Sequence, residues 1–112
     1  MFDRSRAHDV RDALFGGRGA VRVWGLGARA LLLPFRAVLA CELDPGGSVG
    51  AHVQAEYPEI VVFIEGSGTA KVGGAPTAVV PGSVVELALG QTLAIENAST
   101  AAPLRYLIIK AG

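Results

Sequence analysis

The sequence holds one cysteine, Cys41, so no disulfide can form within the chain, and a reducing cytoplasm is the compartment that suits it. Histidine is almost as scarce. Only His8 and His52 are present, which limits any site built on imidazole. An excess of charge is also missing, because ten basic residues balance ten acidic ones and leave no global positive field for nucleic acid or anionic lipid. Neither is an expected partner. Long apolar runs are lacking too: the longest charge-free stretch, residues 72–85, is broken by Gly73, Gly74, Pro76, Pro81 and Gly82, so no membrane span fits. The alternating Asp and Arg residues between 3 and 12 leave no apolar core for a secretory signal near the start.

What is present describes one folded domain over residues 1–112. Half the residues (51%) are hydrophobic and 18% are charged, far from the composition of a disordered chain. Residues 1–36 carry seven Arg against three Asp, spread singly, which reads as a solvated basic arm with His8 exposed in it. Ala7, Val10, Ala13 and Leu14 fall at spacings of three and four before Gly16 and Gly17. That pattern predicts a short amphipathic helix, so residues 1–20 are read as an N-terminal helix or arm.

From residue 21 onward, short apolar runs are separated by Gly, Pro, Asp and Asn. They predict strands over 21–24, 30–33, 36–43, 50–55, 59–65, 69–72, 77–80, 84–87, 92–96 and 104–110. The class is all-β, a sandwich or barrel with its core over residues 36–110. Gly73-Gly74 marks a tight hairpin. Leu39, Cys41 and Leu43 share one parity and should point inward, with Arg36 and Glu42 on the other face. Trp24 and Tyr106 read as core or interface aromatics. Residues 31–33 form an apolar run beside Pro34, an edge-marking residue, and such an edge needs a cover; a second copy of the chain is the simplest one.

The segment from Gly46 to Asn97 is more specific. Gly46, His52, Gln54, Glu59 and Gly66 fall in one register, and Gly82, Ala88, Gly90, Leu93 and Asn97 in another. In that order they resemble the two signature motifs of the cupin superfamily, with Gln54 where the second His belongs, Ala88 for a Pro, and Leu93 for the third His. Five of the seven matching positions are turn or strand-end residues, and only His52 and Glu59 belong to the ligand set. The resemblance implies a double-stranded β-helix, or jelly-roll barrel, and a homodimer built from sheet edges and exchanged N-terminal strands. It also implies a metal site of three His and one Glu, reduced here to His52, Gln54 and Glu59. No metal is expected to be tightly bound, although iron, manganese, nickel or zinc could be weakly held there.

The residues themselves allow such a site. His52 and Gln54, two apart on a strand, point to one face about 6–7 Å apart. Pro58 ends a turn, and a strand opening at Glu59 can run back antiparallel to bring its carboxylate beside the imidazole. Val61 and Phe63 share the parity of Glu59, so the expected pocket comprises His52, Gln54, Glu59, Val61, Phe63, Leu93 and Cys41. Three functions remain open: a non-catalytic or weakly catalytic small-molecule-binding protein, a metal-dependent oxygenase, isomerase or cyclase on the reduced ligand set, and a structural dimerisation module.

Overall fold

The computed structural model describes residues 1–27 and 31–112. Among them ten strands form: β1 (Asp9–Asp12), β2 (Ala20–Gly25), β3 (Phe35–Leu43), β4 (Ser48–Val53), β5 (Glu59–Glu65), β6 (Gly68–Val72), β7 (Ala75–Val79), β8 (Val84–Leu87), β9 (Thr92–Asn97) and β10 (Leu104–Ala111). A six-stranded sheet has the order β1-β2-β3-β10-β5-β8, and a four-stranded sheet the order β4-β9-β6-β7. All pairings are antiparallel. This is the all-β jelly-roll architecture expected from the sequence, and no helix among the described residues is long and apolar enough to cross a membrane.

Alternation builds the core. In β5, Glu59, Val61 and Phe63 are buried while Ile60, Ile64 and Glu65 are exposed, so one face of the strand supplies the interior. Cys41, Leu43, Leu104 and Tyr106 add to it from the six-stranded sheet, and Val49, Ala70, Leu93 and Ile95 from the four-stranded sheet. Cys41 points inward as its parity requires, 2% exposed. The β6–β7 hairpin turns at Gly73 and Gly74, with φ of 58° and 82°, values that a side chain disfavours at both positions.

Two expectations are corrected. The short N-terminal helix does not form: residues 9–12 are strand β1, paired with β2 of the same chain, and only a single 3-10 turn, Leu14–Gly16, follows. A helix of two turns is too short to be stable alone, and the edge of β2 offers it a ladder of hydrogen bonds instead. Residues 31–33 are not a strand, and Ala30, at the start of that expected run, lies outside the described residues.

The arm is also not simply solvated. Residues 2–8 cross the outer face of β2 and β3, where Trp24 Nε1 donates to the Asp3 carbonyl at 2.9 Å and Phe2 packs edge-on against the indole. His8, expected in solvent, is half-buried, its ring 4.7 Å from that of Trp24. Glu42 faces outward by parity yet is only 1% exposed. It accepts from Arg4 at 2.6 Å and Arg105 at 2.9 Å. Burial alone would raise its pKa, but these two guanidiniums hold it below the usual carboxylate range.

Candidate functional site

His52 lies on β4, directly opposite Leu93 of β9. Gln54 follows β4 and is fixed by its backbone, which exchanges hydrogen bonds with the turn at Gly90 and Gln91, both 2.9 Å. Its amide nitrogen donates to His52 Nε2 at 3.0 Å, which leaves the ring proton on Nδ1. Nδ1 is buried with no hydrogen-bond partner, and so is Oε2 of Glu59. Glu59 opens β5, which is not paired with β4: the two strands lie in different sheets, and the expected antiparallel approach along a hairpin is replaced by one across the barrel interior. Both side chains line one cavity of about 250 Å³.

Cys41 and Leu93 line the same cavity. Val61 and Phe63 instead pack into the hydrophobic core and are absent from the cavity wall, as is the Gln54 side chain, which reaches the site through His52. The wall also includes residues that the sequence pattern did not assign to it, among them Arg11, Phe15, Tyr106 and Lys110. Lys110 was legible in principle, since it shares the inward parity of Tyr106 and Ile108 in β10. Arg11 and Phe15 were hidden by the helical reading of their segment.

Phe15 closes one side of the site. Its ring stacks on the His52 imidazole, centroids 4.2 Å apart and planes 16° apart, although Phe15 is itself 53% exposed. It occupies a left-handed backbone conformation, φ 52°, as does Ala13 at 49°. The loop can press this closely onto β4 because glycines meet there: a Cβ on Gly50 would sit 1.8 Å from the Phe15 carbonyl oxygen, and one on Gly17 2.0 Å from that of Ser48.

The electrostatics follow from burial. Withdrawal from water lowers the His52 pKa, against an upward pull from the Gly50 backbone and with the Lys110 charge adding to the fall, so the neutral ring is favoured. Burial raises the Glu59 pKa, against the opposing pull of Lys110 and the Gln54 amide. Burial, reinforced by the Glu59 charge, pushes the Cys41 thiol up to about 12, so it is a protonated, unreactive wall atom. Tyr106 is shifted upward by the same exclusion of water and stays a neutral phenol.

Fold and site together define a small barrel with a partly apolar interior cavity. The sequence profile of the cupin domain matches residues 39–110, and the chain belongs to the cupin family. Among solved structures it is similar to a predicted oxalate decarboxylase from Thermotoga maritima, at 26% identity and a TM-score of 0.84, covering 93% of this chain and 90% of that one. It is also similar to a Cupin 2 conserved barrel domain protein from Salinispora arenicola, at 23% identity and a TM-score of 0.75, covering 100% and 86%. A third likeness, to a cupin-like protein from Thermotoga maritima, has 20% identity and a TM-score of 0.71, covering 85% and 71%. A comparison with curated proteins finds none that matches.

Cupin barrels commonly bind divalent metals, but the residues present here do not make such a site. No cluster of three or more His, Cys, Asp or Glu side chains able to hold a metal ion occurs among the described residues. Leu93, which stands opposite His52 where the resemblance places an imidazole, has no lone pair, and Nε2 of His52 is engaged by Gln54. One imidazole, one carboxylate and one carboxamide do not fit a site of three imidazoles and a carboxylate.

Proposed function

We propose that this protein is a small-molecule-binding cupin whose cavity works without a tightly held metal. The observation that carries this reading is the cavity itself, about 250 Å³ and open to solvent on one side, with its largely apolar wall and two buried polar atoms, His52 Nδ1 and Glu59 Oε2, that have no hydrogen-bond partner among the described residues. An unpaired buried donor or acceptor costs about 1–3 kcal/mol, which a ligand hydroxyl or carbonyl recovers on binding. A filled barrel serving only as a dimerisation module would have no such space. The metal-dependent oxygenase, isomerase or cyclase reading requires ligands that Leu93 and Gln54 do not supply. The volume suits a ligand smaller than those of pockets of about 300–1,000 Å³.

The working unit is proposed to be a homodimer. Leu32, Leu33 and Phe35 are 85%, 69% and 51% exposed, and an apolar groove lined by Phe35, Pro58, Ile60 and Ile109 adjoins them. A second copy covers this surface. Two measurements test the proposal: metal analysis of protein purified without a polyhistidine tag, expected to find less than stoichiometric metal, and sedimentation at low micromolar concentration, expected to find a dimer. Stoichiometric iron, manganese, nickel or zinc would overturn the first half, and a clean monomer the second.

A further inference from the structure

Two cations line the cavity from different strands of the six-stranded sheet, Arg11 from the edge strand β1 and Lys110 from the interior strand β10. Both line the wall that also holds the buried Cys41 thiol. Neither charge is well neutralised. Among the described residues Lys110 makes no ion pair, although Glu59 is its cross-strand neighbour, and Arg11 has only a 3.6 Å contact with Asp9, both side chains more than half exposed. Exposed pairs of that kind contribute little. Glu59 is the single acidic side chain of the wall, so the cavity carries a surplus of positive charge against apolar neighbours such as Val23, Leu39 and Ile108.

Resting on the small-molecule reading above, we propose that the cavity takes a small organic monocarboxylate with an apolar body, its carboxylate held by Arg11 and Lys110. A guanidinium and an ammonium on the wall of one cavity can each donate a charge-assisted hydrogen bond to a carboxylate. The apolar body lies along Leu39, Leu93 and Ile108. A phosphate ester fits less well, because its two negative charges would exceed the surplus and would have to be desolvated against mostly aliphatic side chains.

Calorimetric titration of the full chain with phenylacetate and its neutral isostere phenylacetamide tests the assignment, with inorganic phosphate as a third probe. The carboxylate should bind at least about tenfold more tightly than the amide, the scale expected for one charge-assisted hydrogen bond. Arg11→Gln with Lys110→Gln should remove that advantage, so that acid and amide bind the variant equally. Arg11→Glu, on an exposed edge strand away from the core, should reduce carboxylate binding even if the double variant folds poorly. Equal binding of acid and amide, an advantage that survives in the variants, or tighter binding of phosphate overturns the carboxylate assignment while leaving the cavity reading standing. No binding of any probe at millimolar concentration overturns both.

Discussion

Phe15 lies face to face on His52, 4.2 Å between ring centroids, and holds that position from a left-handed backbone conformation, φ 52°. A strained residue stacked on the one imidazole of the cavity links loop geometry to site chemistry. The ring excludes water from His52 and contributes to the burial that favours its neutral form.

Phe15→Ala should therefore rehydrate the imidazole and move the His52 pKa up toward its ordinary value, followed by the ring-proton shift in an NMR titration. A depressed histidine stabilises the fold above its unfolded pKa of roughly 6.5 and loses that contribution as pH falls through the folded value, so the variant should also be less acid-sensitive in that window. Phe15→Gly should be more stable than Phe15→Ala by about 1 kcal/mol in urea unfolding, because glycine adopts positive φ without strain. Equal stability would show that the left-handed conformation is not held.

Gly50→Ala tests the contact beneath the loop. The added Cβ would meet backbone, the Phe15 carbonyl oxygen, and cannot be relieved by turning a side chain. The variant should lose about 1–3 kcal/mol of stability and lose the ring-current shift that Phe15 imposes on His52. Gly25→Ala, with open space around it apart from its strand neighbours, is the control.

Glu42 makes the arm acid-sensitive. Its pKa is held down in the fold, so its ion pairs stabilise the protein above the unfolded carboxylate value of roughly 4.3, and that contribution is lost as pH falls through the folded value. Glu42→Gln leaves Arg4 and Arg105 without their shared anion and should cost about 1–3 kcal/mol at neutral pH, less than a fully buried pair because Arg4 is 57% exposed and Arg105 keeps Glu65 at 2.6 Å. Denaturant curves for parent and variant should converge as pH is lowered toward 3.

Glu59 has the opposite sign. Its raised pKa means that the fold favours the protonated form, so its contribution is present below the unfolded value and lost as pH rises through the folded one. Glu59→Gln should accordingly melt above the parent at pH 7 and, by removing the one negative charge of the wall, should not weaken carboxylate binding. A lower melting temperature would mark Glu59 as a structural residue.

The barrel was legible in the sequence because its strands are bounded by turn residues and alternate cleanly; β5 and β8 have the bounds expected of them. The signature glycines Gly46, Gly66, Gly82 and Gly90 all have positive φ, and Asn97 ties two loops together by donating to the carbonyls of Asp44 and Ala102, so these positions report fold more than chemistry. Strand β1 was not legible, since all four of its residues are exposed and an edge strand without a buried face has no alternation to read. The burial of Glu42 was hidden for a related reason: its parity was right, and its cover comes from Arg4, 38 residues away. Arg11 and Lys110 line one cavity from strands that are not neighbours in the sheet, a relation no local pattern encodes.

Leu93 offers a constructive test of the missing ligand. It is 1% exposed and directly opposite His52. Leu93→His with Gln54→His should complete a set of three imidazoles and a carboxylate. The metal-free double variant should be less stable by about 1.5–3 kcal/mol from lost apolar burial, and Ni²⁺ or Zn²⁺ should restore or exceed the parent's melting temperature. A destabilised variant that takes up no more metal than the parent would show that Leu93 does not occupy the ligand position.

The claim that the cavity binds a small molecule without a metal is tested most directly by thermal melting of untagged protein with phenylacetate, in EDTA and again with added Fe²⁺, Mn²⁺, Ni²⁺ or Zn²⁺. The account predicts a rise in melting temperature that saturates with ligand, is unchanged by EDTA and is not enlarged by any of the ions; at about 100 times its Kd the ligand adds about 2.7 kcal/mol. Stabilisation that disappears in EDTA and returns only with one of the ions would contradict it and make the site a metal centre.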